Sequence, residues 1–172
     1  MMKLHLIDIN PELVEAWKVC FHGEDVDIQC CDILSVAENA IVSPANGYGF
    51  MDGGIDRLYT DHFGLRPQTE LQEAILKREE GYLPVGASIL VSTGDVKVPY
   101  LIAAPTMITP GAVPASNCFY AMSAVLQAAE RNKKHITDVY CPGLGTSTGN
   151  VDAKEAANEM AKAYKKWKCI TN

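Results

Sequence analysis

The feature that most restricts what this chain can fold into is a pattern that occurs twice: an apolar strand that opens into a glycine-rich segment, which opens in turn into a helix. In the first copy, Asn39-Ala40-Ile41-Val42 leads into VSPANGYGFMDGGID, Val42 to Asp56, with four glycines, one proline, one asparagine and two aspartates. In the second, Ile136 to Cys141 leads into CPGLGTSTGN and a helix from Asp152. Such junctions leave backbone N–H groups without intrahelical acceptors. Glycine lets those donors come close to a ligand, and the positive end of the following helix favours an anion. Ligands of open α/β sheets sit beyond the carboxyl ends of the strands, so two such loops on neighbouring strands face one crevice. A pair of phosphates suits a pair of loops, whereas either loop alone reads equally well as a plain strand-to-helix turn.

The rest of the chain supplies the sheet and its cover. Lys3 to Asp8 reads as a strand, and Asn10-Pro11 starts a helix with a capping side chain before proline. Val26 to Ile33 and Asn39 to Pro44 read as the second and third strands. Ile55 to Phe63 has helical spacing through Ile55, Leu58 and Tyr59, and Pro67 restarts a helix that Gly81 closes. Ala87 to Val91 and Tyr100 to Ala104 are uninterrupted apolar runs, the pattern of strands buried on both faces. A helix carries Cys118, Met122, Val125, Leu126 and Ala129 on one face; a final one carries Ala153, Ala156, Ala157, Met160, Ala161, Tyr164 and Trp167. Six strands interleaved with helices predict one α/β domain over residues 1–172: a three-layer α/β/α sandwich around a six-stranded, mostly parallel mixed sheet.

Composition excludes several classes of function. The 172 residues are 48% hydrophobic and 21% charged, ordinary for a globular protein, and neither an apolar signal core nor a membrane-length run is visible. A net charge of −6 argues against a nucleic-acid surface, which needs lysine and arginine to neutralise phosphates. A small anion held by backbone donors stays compatible with that charge. The six cysteines lie in or beside strand and helix patterns with no CxxC spacing and read as reduced thiols of a cytoplasmic protein. Cys141 reads as a buried strand cysteine rather than a nucleophile, and His5, His22, His62 and His135 lack metal-ligand spacing. No glycine segment is followed by Lys-Ser or Lys-Thr, so the phosphate loop of NTPases is absent. Gly143-x-Gly145-x-x-x-Gly149 lies too near the end of the chain for a dinucleotide fold, because no further strand follows to supply a ribose-binding acid.

At four motifs the sequence resembles the macro domain family. Cys31-Asp32-Ile33 resembles the family's Gly-Asp-Ile strand end, and Ile41 to Asn46 the strand leading into Asn-Ala-Asn. Gly53-Gly54-Ile55-Asp56 resembles its glycine loop before a helix, and Pro142 to Gly149 its second phosphate loop. The resemblance implies an ADP-ribose site, with Asp32 on the adenine amino group and Asn46 on the distal ribose. It implies that Gly53, Gly54 and Ile55, with Gly145, Thr146, Ser147, Thr148 and Gly149, wrap the diphosphate. Ile33, Ala45, Tyr48, Gly143 and Leu144 are expected to complete the ligand contacts. Asp56, with Asn46, corresponds to the catalytic pair that orients an attacking water in hydrolytic members, although an acid in a first helical turn also serves simply as a partner for the helix dipole. Asp32 likewise has a competing reading as a helix cap.

The implied activity is hydrolysis, without metal or cofactor, of an adduct at the distal ribose: a protein-linked ester or a terminal phosphate. The same contacts serve a non-catalytic binding module for ADP-ribose or a related nucleotide signal, and the sequence leaves the two open. The expected partner is ADP-ribose or an ADP-ribosylated substrate, bound by a monomer without membrane or nucleic acid. Ser43 stands where the family has the first Asn of its motif, Pro44 enters that turn, and Ser147 replaces a commoner glycine. Asn150 and Val151 occupy the place of an aromatic that often follows the second loop, leaving Tyr48 or Phe50 to cap the site. The family comparison also implies that Lys3 to Asp8 takes a sheet position usually closed by the C-terminus.

Overall fold

A computed structural model describes residues 2–171. The elements, in chain order, are β1 (Lys3–Asp8), α1 (Pro11–Cys20), β2 (Val26–Cys30), α2 (Ile33–Val36), β3 (Ala40–Ser43), α3 (Gly54–Phe63), α4 (Arg66–Leu76), β4 (Ile89–Ser92), β5 (Tyr100–Ala103), α5 (Ser116–Arg131), β6 (Asp138–Cys141) and α6 (Ala153–Thr171). The six strands form one sheet in the order β2-β1-β6-β3-β5-β4. All neighbours pair in parallel except β4, which runs antiparallel to β5 with Ile89 opposite Ala103. The mostly parallel mixed sheet expected from the sequence is therefore present.

Alternation along the strands explains the layers. Leu4 and Leu6 of β1, Ala40 and Val42 of β3 and Val139 and Cys141 of β6 join one buried cluster with Trp17 of α1, Met122 and Val125 of α5 and Met160 of α6. Their neighbours Ile7, Ile41 and Tyr140 face the other way, into a second cluster with Ile33, Tyr59 of α3 and Leu71 and Ile75 of α4. Each central strand is thus apolar on both faces, which is why it reads as a continuous run rather than an alternating one. Burying each such side chain contributes about 1.5–3 kcal/mol. Among the described residues no helix is long and apolar enough to cross a membrane.

Element boundaries differ from expectation at the end of the second strand, which bears on the site, and at the end of α4. The second strand stops at Cys30 instead of Ile33, because the Asp32 side chain accepts a hydrogen bond from Leu34 N and caps the short helix α2. The helix restarted by Pro67 ends at Leu76, where the Lys77 amide bonds back to Ala74 O and the Arg78 amide to Ile75 O; a turn then reaches Gly81. β1 lies inside the sheet between β2 and β6. The carboxyl ends of three adjacent strands, β1 at Asp8, β6 at Cys141 and β3 at Ser43, therefore open on the same side.

Candidate functional site

The loops leaving β1, β6 and β3 converge on a cavity of about 540 Å³, bordered also by Cys31 to Leu34 after β2 and by Thr106, Met107 and Pro110 after β5. The two glycine loops meet across it: a Cβ built on Gly54 would lie 4.0 Å from Ser147 Oγ. Gly54 adopts φ +55 and Gly145 φ +74, left-handed conformations that a side chain resists. At Gly145 a Cβ would also sit 2.9 Å from Cys118 Sγ, so that position needs glycine on two counts.

Free donors fill one side of this cavity. Gly53 begins α3 with no side-chain cap, and the amides of Gly54, Ile55 and Asp56 donate to no protein acceptor among the described residues. The amides of Thr146, Ser147, Thr148 and Gly149 are likewise free, while the loop around them is closed by Asn150 N to Ser147 O at 2.9 Å and Val151 N to Gly145 O at 2.9 Å. The second loop is tied to β1 by Gly143 N, which donates to Asp8 Oδ2 at 2.9 Å. Two sets of free amides bordering one crevice suit a ligand with two adjacent anionic groups.

Asp56 is a buried carboxyl, 7% exposed, that borders the cavity from the first turn of α3. Ser43 Oγ donates to Asp56 Oδ1 at 2.5 Å, linking the end of β3 to the start of α3. Burial pushes the carboxyl up to about 7; the Ser43 hydrogen bond opposes the rise and the Asp52 charge adds to it. A carboxyl poised near neutrality can take or give a proton at working pH. Cys141 differs. It is fully buried, burial pushes its thiol far up, and its Sγ lies 3.3 Å from Pro142 O, so it belongs to the core as its strand pattern suggested. No group of three or more His, Cys, Asp or Glu placed to hold a metal occurs among the described residues.

Of the residues singled out from sequence, Asp32, Ile33, Asn46, Gly53, Gly54, Ile55, Asp56, Gly143, Gly145, Thr146, Ser147, Thr148 and Gly149 border the cavity together. Ala45, Tyr48 and Leu144 do not. Ala45 is 1% exposed and packs with Met51 and Ile41, and Leu144 is fully buried on the opposite face of the sheet. Tyr48 turns outward to Tyr82, ring centroids 6.3 Å apart, and Phe50 borders the cavity in its place. Asn46 reaches the cavity but spends its amide on its own loop: Nδ2 donates to Phe50 O at 2.9 Å, and Oδ1 accepts from Tyr48 N and Phe50 N. Asp52, which the sequence suggested as pocket lining together with Met51, does border the cavity, whereas sequence reasoning missed Asp8 and Pro110. Asp8 was the one open to discovery, since it ends a strand of a parallel sheet and such ends face the crevice.

A mostly parallel α/β sheet in which two central strands deliver loops with free amides to one crevice is an architecture suited to a phosphorylated small molecule at the strand ends. The chain belongs to the Macro domain family, whose model matches residues 42–160. It is 32% identical over 150 residues to an uncharacterised protein of Aquifex aeolicus, covering 85% of this chain and 86% of that one. Its fold is that of the macrodomain of Mycobacterium tuberculosis DarG, with a TM-score of 0.68 at 20% identity over 79% of this chain and 87% of that structure. It superposes equally well, TM-score 0.68, on a glycine-to-valine mutant of the Oceanobacillus iheyensis macrodomain solved with ADPR, at 19% identity over 79% and 74% of the two chains.

Proposed function

We propose that the chain binds ADP-ribose in the cavity between the two glycine loops and hydrolyses an adduct at its distal ribose. The observation that carries the reading is the juxtaposition of the free amides of Gly54 to Asp56 and Thr146 to Gly149 with the buried carboxyl of Asp56. The amides suit the diphosphate, and ADPR occupies the related Oceanobacillus iheyensis macrodomain. In this reading Asp32 meets the adenine amino group, Asn46 and Asp56 flank the distal ribose, and Asp56 takes a proton from the attacking water. Loop amides stabilise the negative charge that develops on the leaving oxygen. Residues 1–172 act as one domain, a cytoplasmic monomer.

Turnover of an ADP-ribosylated protein and of ADP-ribose phosphate, followed by product chromatography for the parent and for Asp56→Ala, tests this. Loss of at least about 100-fold in rate is expected for the variant, a typical share for a general base; an unchanged rate removes Asp56 from the mechanism. The commitment of the Asn46 amide to its own loop favours a second reading, a binding module without turnover. Calorimetric binding of ADP-ribose with no product from either substrate would establish that alternative.

A further inference from the structure

The wall of the cavity is unbalanced in charge. Asp8, Asp32, Asp52 and Asp56 all border it, and among the described residues no lysine, arginine or histidine does. The four acids are not equivalent. Asp8 accepts hydrogen bonds from Asn10 N at 2.9 Å and Gly143 N at 2.9 Å, and Asp32 accepts from Leu34 N at 3.0 Å, so backbone donors offset part of both charges. Asp52 is exposed, accepts no hydrogen bond among the described residues, and stands one residue before the N-cap of α3, close enough to Asp56 to raise its proton affinity. Free amides cluster on the α3 terminus and the second loop, enough for one diphosphate; Asp52 borders the same cavity with no such amide left over for it among the described residues.

A phosphate monoester carries about 1.5 to 2 negative charges at neutral pH. Placed beside Asp52 and Asp56, it meets like charge and no counter-cation, whereas a neutral or cationic group escapes that repulsion. Juxtaposed like charge is the usual means by which a site rejects a competing ligand. We propose that this cavity takes ADP-ribose whose distal ribose bears a neutral or cationic substituent and rejects the form bearing a terminal phosphate, with Asp52 as the discriminating residue. The inference rests on the ADP-ribose reading of the cavity and narrows it to one of its two substrate classes.

Calorimetry of the full chain with ADP-ribose and with ADP-ribose 1″-phosphate at pH 8 is the test. The parent is expected to bind the phosphorylated ligand at least tenfold more weakly. Asp52→Asn is expected to narrow that ratio at least threefold, while Asp52→Glu, which keeps the charge, preserves it. Raising the salt to about 1 M is expected to narrow the parent's ratio as well, since screening acts on exposed charges. Equal or tighter binding of the phosphate, or a ratio that Asp52→Asn leaves unmoved, overturns the inference while the ADP-ribose reading stands. Failure of the parent to bind ADP-ribose at all overturns that reading and this inference with it.

Discussion

Ser43 and Asp56 illustrate how a single substitution redirects a site. A serine at the end of β3 is short enough to be fully buried and still donate to a carboxyl arriving from α3, so the acid is held in place by one hydrogen bond in a desolvated pocket. Burial dominates, and the folded-state value stands near 7 against an ordinary 3.8. A carboxyl raised in this way holds its proton more tightly folded than unfolded. Stability therefore declines as pH climbs from about 4 to about 7, and the full cost is present above that range. Asp56→Asn removes the charge and keeps an acceptor for Ser43. It is expected to raise the Tm at pH 8 by roughly 5–10 °C, on the order of 2–4 kcal/mol, and to leave it nearly unchanged at pH 4. Thermal melts at the two pH values check this, and equal Tm values for parent and variant at pH 8 would show that the ionised carboxyl is tolerated without cost. A gain in stability coupled to a loss of turnover is the signature of a group strained for function.

The elements fall into those whose evidence is local and those whose evidence is not. Strands β3, β5 and β6 were legible because burial on both faces writes an uninterrupted apolar run, and α1 because Asn10 and Pro11 mark its start and the Asn10 side chain accepts from Glu12 N. Both glycine loops were legible for the same local reason. Helix α2 was not, since four residues fall below the window in which a 3.6-residue period can be read, and its Asp32 cap looks like the end of a strand. The central place of β1 rests on pairing with β6, 135 residues away, and the role of Asp8 on a contact with Gly143, neither of which any local pattern contains. That contact is itself testable. A Cβ on Gly143 would lie 2.5 Å from Leu13 Cδ2 and 2.6 Å from Thr146 Oγ1, so this turn is packed hard against α1, with Asp8 as its hydrogen-bond anchor. Asp8→Ala leaves the Gly143 amide without its acceptor and frees the second loop. ADP-ribose binding is expected to weaken roughly tenfold, equivalent to about 1.4 kcal/mol; undiminished affinity by calorimetry would show that the loop keeps its shape without the β1 anchor.

The molecule as a whole is acidic, with a net charge of −6, and the free donors bordering its cavity are backbone amides, so its side-chain charge is free to serve other ends. One such end lies along the strands β2, β1 and β6. His5 Nδ1 sits 3.1 Å from Asp27 Oδ2 and Nε2 2.9 Å from Asp138 Oδ1, so a single ring clasps β2, β1 and β6, stacked on Tyr140 at 4.2 Å. Burial pushes both carboxyls up, but hydrogen bonds from His5, with Gln29 at Asp27 and Thr137 at Asp138, more than offset it and hold both below the ordinary 3.8. Carboxyls depressed in the folded state contribute stability that is present above the unfolded value and lost as pH falls through the folded ones. The parent is therefore expected to lose Tm steeply as pH drops from about 5 to about 3. His5→Ala, lacking the donor that depresses both acids, is expected to show a shallower decline over the same range from a lower starting Tm. Parallel slopes in a series of melts would mean that the clasp holds the strands through packing on Tyr140 alone, with no part in acid stability.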